Sequence, residues 1–379
     1  MLFFGKSKIN TFFHIFCKCG KTCRCDNAVI LTQFLILLHS KNKLAIINKT
    51  HTGVGIMSTV NSILEFLRRD GYISGQEISD SLGISRNSIS KHIKALRQKG
   101  YVIDSVTNRG YKLLSEPDEL LQQDINNKIT TLFIGRPTVI LDSVDSTNEE
   151  IKRRAKQGAK QGLTVVSDEQ FSGKGRLGRV WKSPKGTSVY ESILLRPELA
   201  PSQVPCITLA AGLAMCRTIN SIADFNAKIK WPNDIIIGRK KLCGILTEMA
   251  IEDNTVSFAV VGMGININNR SFPEEISKKA TSLYLEKERE FSRSDIIIRL
   301  AQSFEDIYNE FIMGGFESIK DEYISLCATI GRSVSAKRND GEISGTAVDI
   351  APDGGLIVET QNGEKKYIST GEVAVQGIY

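Results

Sequence analysis

Histidine is nearly absent from this chain. Of 379 residues four are histidine, and His14, His39 and His51 all precede residue 57, which leaves His92 alone in the remainder. Ser–His and Cys–His nucleophilic relays need an imidazole base beside the nucleophile, so the main body is excluded from that chemistry. Clustered cysteine is missing there too. Cys206, Cys216, Cys243 and Cys327 are scattered without metal-ligand spacing and read as small reduced core residues of a cytoplasmic protein. No long apolar run exists. Residues 28–38 are interrupted by Thr32 and Gln33 and fall short of the roughly 20 residues that span a bilayer. No small-residue cleavage site follows them, so a secretory signal is a poor reading. Internal repeats and low-complexity tracts are lacking as well.

The net charge of +7 is equally uneven. Residues 1–56 hold eight Lys/Arg and one acid, Asp26, while the rest of the chain carries 41 charges of each sign. Overall basicity therefore says nothing about the main body. Cys17, Cys19, Cys23 and Cys25 form C-x-C-x3-C-x-C, which departs from the C-x2–4-C pairs of zinc sites; no metal is expected. Met57 opens a well-patterned helix, so the reading is that residues 1–56 are a disordered or non-native extension.

At this length two or three domains are expected. Over 58–115, Val60, Ile63, Leu64 and Leu67 line one helical face. Ser74 to Glu77 is a capping box for a second helix. Gly83 makes a turn, and Ser85 caps a third helix with Ile89, Ile93 and Leu96 on one side. Tyr101–Ile103 and Tyr111–Leu113 flank a turn at Asn108-Arg109-Gly110, a wing. Between Arg86 and Lys112 there are seven Lys/Arg and one acid, Asp104. Such a local basic face on a helix-turn-helix plan points to DNA. Arg86, Asn87 and Ser88 would meet base edges; Lys91, Lys94, Arg109 and Lys112 would meet phosphate. The same pattern also suits a small protein-interaction domain with a solvated charged helix.

Residues 115–118 read as a linker. Over 125–325 short strands and helices alternate without strict βαβ order, which predicts an α+β domain on a mixed sheet. Strands are expected at 132–134, 139–141, 163–166, 192–195, 227–230, 235–237, 244–248 and 256–261. Ser146 is expected to cap one helix and Ser294 another. Residues 329–379 carry four short strands separated by turns at Asn339-Asp340-Gly341, Pro352-Asp353-Gly354-Gly355 and Asn362-Gly363, a small antiparallel barrel of the SH3-like kind.

Gly173-Lys174-Gly175-Arg176-Leu177-Gly178-Arg179 places three glycines and three cations in seven residues. Glycine lets backbone amides approach a ligand, and the cations suit phosphate. Its spacing fits G-x-G-x-x-G, but turn residues follow where that fingerprint needs a helix, so dinucleotide binding is rejected. Alone, the loop reads equally as a solvated surface loop. Three other polar clusters stand with it at expected strand ends: 146–148, 230–234 with Lys241, and 262–266. Without a histidine, positioning and charge stabilisation must carry any chemistry, which suits nucleotidyl transfer.

Asp145-Ser146-Thr147-Asn148, the Gly/Arg loop, Lys230-Trp231-Pro232-Asn233-Asp234, Lys241-Leu242-Cys243-Gly244-Ile245-Leu246 and Gly262-Met263-Gly264-Ile265-Asn266 occur in the order found in biotin protein ligases. With its helix-turn-helix the chain resembles the bifunctional type, ligase and biotin-operon repressor, over 58–379. The resemblance implies a class II synthetase-like catalytic domain. It implies ATP, with Mg2+, as co-substrate, biotinyl-AMP as intermediate, and the lysine of a biotin carboxyl carrier domain as acceptor. It implies that Ser146, Thr147, Asn148 and Gln170 hold the biotin ring. Lys174, Gly175, Arg176 and Lys241 would meet its carboxylate and the α-phosphate, joined by Lys230. Trp181, Asn233, Asp234 and Asn266 would meet the nucleotide. Lys174 stands where many members carry arginine; lysine keeps the charge and loses the planar fork. The implied regulation is a homodimer, formed through the central sheet when adenylate is bound, that grips operator DNA. A biotin-sensing transcription factor without catalysis is the alternative; a lipoate ligase, on the same fold, lacks the Lys-Trp-Pro-Asn-Asp signature.

Overall fold

The computed structural model describes residues 59–98, 100–116, 118–338, 341–369, 371 and 373–379. The proposed extension, with its cysteine cluster and Met57, lies outside them. The chain divides into two compact units, one ending at Ile89 and one running Ser90–Tyr379.

In the first unit, α1 (Thr59–Leu67) buries Ile63, Leu64 and Leu67. α2 (Gly75–Leu82) starts at Ser74, whose Oγ accepts from Glu77 N–H at 3.0 Å. It ends at Gly83, whose left-handed φ of 67° a residue with a Cβ would resist. The boundary between units falls within α3 (Arg86–Gln98), which begins with Ser88 N–H on Ser85 Oγ. In the second unit, β1 (Val102–Val106) and β2 (Gly110–Ser115) form an antiparallel hairpin. Arg97, near the end of α3, donates to Ile103 O and so ties helix to hairpin.

A seven-stranded mixed sheet follows in the order β3-β4-β5-β9-β8-β7-β6. Its strands are β3 (Thr138–Leu141), β4 (Thr164–Ser167), β5 (Ser188–Leu195), β6 (Ala227–Lys230), β7 (Asp234–Ile237), β8 (Lys240–Glu252) and β9 (Thr255–Asn266). Only β3 and β4 run parallel. Side chains alternate faces along a strand. Val189, Ile193, Val261 and Ile265 therefore join one core, and Val165, Leu194 and Val260 another. The first core packs under α6 (Pro205–Ile222) and a long helix near the end of the domain. α6 comes close because it is rich in Ala and Gly: a Cβ on Gly212 would already touch Ile229, Ile235 and Ile245. The second core packs under α5 (Thr147–Lys156).

Three local expectations are corrected. Residues 132–134 are a turn, not a strand. The amides of Leu132, Phe133 and Ile134 all donate to the buried carboxylate of Glu305 at 2.5–2.9 Å, which overrides their β propensity. The long helix (Arg293–Gly314) is capped by Ser292, which accepts from Asp295 N–H; Ser294 lies inside it. Residues 262–266 do not follow a strand but form the last part of β9, paired with β5 through Asn266 and with β8 through Ile265.

Arg293 explains the early helix start. It is 3% exposed and bonds Asp118 Oδ2 at 2.6 Å, Asp168 Oδ1 at 2.5 Å and the carbonyls of Asp118 and Ser188. The segment read as a linker is thus anchored at Asp118.

Beyond the short helices α4 (Gln122–Lys128), α7 (Glu274–Ser277), α8 (Leu283–Lys287) and α10 (Lys320–Leu326), with the long helix as α9, the chain ends in a five-stranded antiparallel sheet. Its order is β13-β12-β11-β10-β14. These are β10 (Ser333–Arg338), β11 (Gly341–Ile350), β12 (Leu356–Glu359), β13 (Lys365–Ile368) and β14 (Val373–Val375), the last unforeseen. Trp231, itself buried, joins this sheet to the central domain by donating from Nε1 to Gly354 O at 2.9 Å. Among the described residues no helix is long and apolar enough to cross a membrane.

Candidate active site

A cleft of about 460 Å³ opens on the α5 face of the central sheet. Parity explains its position. Ser192 shares a face with Leu194, and Gly262 and Gly264 share one with Val260, so all three point toward α5. Gly244 sits opposite Gly264 on β8. Glycine inside a strand marks a close approach of something else, and here the visitors are identifiable. A Cβ on Gly262 would lie 2.1 Å from Asn148 Oδ1, and one on Gly264 would lie 2.5 Å from Trp181 Nε1. A Cβ on Gly244 would meet the same indole at 3.0 Å. The floor is stripped of side chains so that Asn148 and Trp181 can lie on it.

One wall is the first turn of α5. Asp145 is gripped by the Arg153 guanidinium, which holds its carboxyl down to about 2. Asp145 in turn takes the Ser146 amide. Ser146 stands at the helix N-cap without a side-chain cap bond, which leaves its hydroxyl to the cleft. Thr147 donates from N and Oγ1 to Gln170 Oε1 at 2.8 and 3.1 Å, and Gln170 Nε2 donates to Ser183 Oγ. Ser192 Oγ lies 2.7 Å from Thr147 Oγ1 and 2.5 Å from Asn148 Oδ1. Asn148 Nδ2 donates to Glu248 Oε2 at 2.7 Å. These buried donors and acceptors fix one another, as a polar ligand pocket requires.

The Gly/Arg loop forms the roof. Trp181 N–H returns to Gly173 O and Gly175 N–H to Arg179 O. Leu177 and Gly178 turn through left-handed φ of 56° and 72°. Arg176 crosses the cleft to Asn233 Oδ1 at 2.8 Å and to Gly371 O, in the C-terminal sheet domain, at 3.1 Å. Lys174 Nζ instead meets Glu149 Oε1 at 2.7 Å. At the far end Lys241 Nζ pairs with Asp234 Oδ1 at 2.6 Å and lies 5.2 Å from the Trp181 ring. Asp234 also accepts from the Tyr379 hydroxyl. The buried Trp181 Nε1 has no partner, a donor held ready for a ligand.

Ser146, Thr147, Asn148, Gln170, Lys174, Gly175, Arg176, Trp181, Asn233 and Lys241 thus line one cleft. Three expected residues stand outside that lining. Asp234 reaches it through Lys241. Asn266 is buried, its Nδ2 on Thr281 O. Lys230 lies in one cross-strand row with Asp234, Gly244 and Gly264 and so shares the cleft face, but its Nζ stands 3.8 Å above the Tyr379 ring, beside the lining. Ser192 and Glu248 stand in none of the sequence motifs, and the floor glycines Gly244, Gly262 and Gly264 stand in them without an assigned role, although glycine within β-rich runs is a usable signal. Elsewhere Arg86, Asn87, Lys91, Lys94 and Arg109 are exposed and Ser88 half-buried.

The profile of the biotin/lipoate A/B protein ligase family matches residues 140–266, which frame this cleft. A helix-turn-helix domain profile matches 59–112 and a biotin protein ligase C-terminal domain profile 329–375. The bifunctional ligase/repressor BirA of Bacillus spizizenii is 38% identical over 300 residues, covering 79% of this chain and 92% of that protein. The chain belongs to the bifunctional biotin protein ligases. Similarity to the family extends further: the Escherichia coli BirA is 29% identical over 314 residues, covering 83% of this chain and 96% of that one. A biotin protein ligase from Aquifex aeolicus, solved with biotin and ATP, superposes with a TM-score of 0.55 at 30% identity. It covers 64% of this chain and 99% of that structure.

Proposed function

We propose that this chain activates biotin with ATP and transfers it to a lysine of a carrier domain, and that it represses transcription in response to biotin. The observation that carries the reading is the single cleft with neutral, mutually fixed polar groups at one end and Arg176 and Lys241 at the other. A ureido ring needs the first, and a carboxylate meeting a phosphate needs the second. Ser146, Thr147, Asn148 and Gln170 are assigned to the ring. Arg176 and Lys241 are assigned to the carboxylate and the α-phosphate, under a roof that includes Gly175. Trp181, Asn233 and Asp234 are assigned to the nucleotide. Asn266 and Lys230 support the neighbouring segments.

In the first half-reaction a biotin carboxylate oxygen attacks the α-phosphorus, the α–β bridging bond breaks, and pyrophosphate leaves. In the second, an acceptor amine attacks the acyl carbon, loses its proton, and AMP leaves. No side chain need form a covalent bond. The cleft orients the two reactants and offsets charge as it develops on phosphate oxygens. Mg2+ binds through nucleotide phosphates with few protein carboxylates, and Asp234, at the edge of the cleft beside Lys241, would be the carboxylate to meet it.

The test is incubation with biotin, Mg-ATP and a biotin carrier domain, read by intact mass of the carrier. One added biotinyl group is expected. Biotin binding without transfer would leave a biotin-sensing transcription factor. For repression, the exposed cations of α3 and the hairpin are assigned to operator DNA. Met249 and Ile251, exposed on β8, mark the sheet surface proposed to dimerise when adenylate is bound. Operator affinity in a gel-shift titration should rise at least tenfold with biotin plus ATP; no change would break this linkage. A cytoplasmic setting fits the reduced, buried thiols.

A further inference from the structure

We propose that Glu149 is a positioning residue that clamps the Gly/Arg loop over the cleft by holding Lys174, so that Lys174 works on the loop and not on the reacting phosphate. The inference rests on the cleft being the biotin site. Lys174 and Arg176 flank the extended Gly175, yet their heads go to opposite ends of the cleft. Arg176 goes to the β6–β7 turn, at Asn233. Lys174 goes to the first turn of α5, where Glu149 directly follows the cleft residues Thr147 and Asn148. The roof is thereby fastened on both sides.

Glu149 is not an isolated surface carboxylate. Lys152 Nζ stands 3.2 Å from Glu149 Oε1 and 2.7 Å from Glu248 Oε1. The other oxygen of Glu248 accepts from Asn148 Nδ2. An unbroken series of charged and polar contacts thus runs from Ser192, on the floor, through Asn148, Glu248, Lys152 and Glu149 to Lys174 in the roof. Lys174 holds the Glu149 carboxyl below the usual glutamate range, and Glu149 raises the lysine in return. A flexible lysine stem ending in a compact charge suits a fastening to one carboxylate oxygen, where a planar guanidinium would favour bidentate phosphate contact.

The experiment compares Glu149→Gln, Lys174→Gln and the double variant with the intact protein. The readouts are KM for biotin, maximal ATP–pyrophosphate exchange, release of biotinyl-AMP without acceptor, and amide hydrogen exchange over 171–180 in the ligand-free state. Glu149→Gln should raise KM and intermediate release about three- to fivefold, the range a half-exposed ion pair can carry, with maximal exchange rate unchanged. Lys174→Gln should match it in KM and in intermediate release, and the double variant should add nothing. Loop amides should exchange faster in all three. Glu149→Lys combined with Lys174→Glu should recover most of the loss. Additive effects, or a Lys174→Gln variant that loses maximal rate while Glu149→Gln is normal, would overturn the clamp and return Lys174 to the phosphate. The hydrogen-exchange arm needs no biotin chemistry, so a protein that failed to make biotinyl-AMP would refute the ligase reading while still reporting on the clamp.

Discussion

Lys241→Ala should lower the rate of biotin activation by about two to three orders of magnitude, the usual cost of removing one donor aimed at developing charge. The lysine stands in β8 with its backbone fully engaged: its N–H donates to Lys279 O and its C=O accepts from Thr281 N–H. Alanine keeps both bonds, so the strand and the 279–281 segment should hold. What disappears is the ammonium at the Arg176 end of the cleft. Asp234 loses its ion pair but keeps the Tyr379 hydroxyl. Pyrophosphate exchange at saturating biotin and ATP reads the chemical step directly. A loss under tenfold would remove Lys241 from the reacting phosphate. Biotin binding alone, measured calorimetrically, should fall far less, because the polar end of the cleft is untouched.

Glu191→Leu should stabilise the protein strongly at alkaline pH and remove most of its pH dependence between 5 and 8. Glu191 sits on β5 among Val189 and Ile193, on the face covered by α6 and α9, and is 2% exposed. Its Oε1 has no hydrogen-bond partner. Burial pushes its carboxyl from the ordinary 4.5 up to about 8. Between those two values the folded chain keeps a proton that the unfolded chain has released. The unfolded state therefore binds fewer protons, and stability falls as pH rises from 4.5 to 8 and levels off above. The shift corresponds to a loss on the order of 3–5 kcal/mol across that window. Leucine fits an apolar site of similar volume and carries no charge to desolvate. Urea denaturation at pH 5 and pH 8.5 checks both statements. A wild-type midpoint that is flat with pH would show that Glu191 finds a partner or water.

The cleft was legible because its parts lie in contiguous motifs. The stretch 145–148, the Gly/Arg loop and Lys241 each announce themselves through residue types that a core has no use for. What stayed hidden depended on parity or on distant partners. Lys230 sits in the same motif as Asn233 and on the cleft face, yet the ring of Tyr379, about 150 residues along the chain, takes its ammonium. Gly262 and Gly264 read as a polar strand end, whereas their meaning is the space that they leave for Asn148 and Trp181. Residues 132–134 carry strong β propensity, but Glu305, far along the chain, collects their amides. Ser292 and Ser294 are equally good caps in isolation. The choice falls to Ser292 because Arg293, in the first turn, is fixed by Asp118 and Asp168. Such long-range determinants leave no local trace.

The roof of the cleft has one further consequence, in the order of synthesis. Arg176 closes on the carbonyl of Gly371, and Asp234 on the hydroxyl of Tyr379. Both acceptor and donor leave the ribosome long after the residues that they complete. Domains fold as units while the chain emerges, so the central sheet can form with its cleft still open at these two points. A nascent chain halted before residue 371 would carry the polar pocket, the glycine floor and the loop, with Arg176 on Asn233 and Asp234 on Lys241, and still lack the second contact of each. Those second contacts wait for residues 371 and 379.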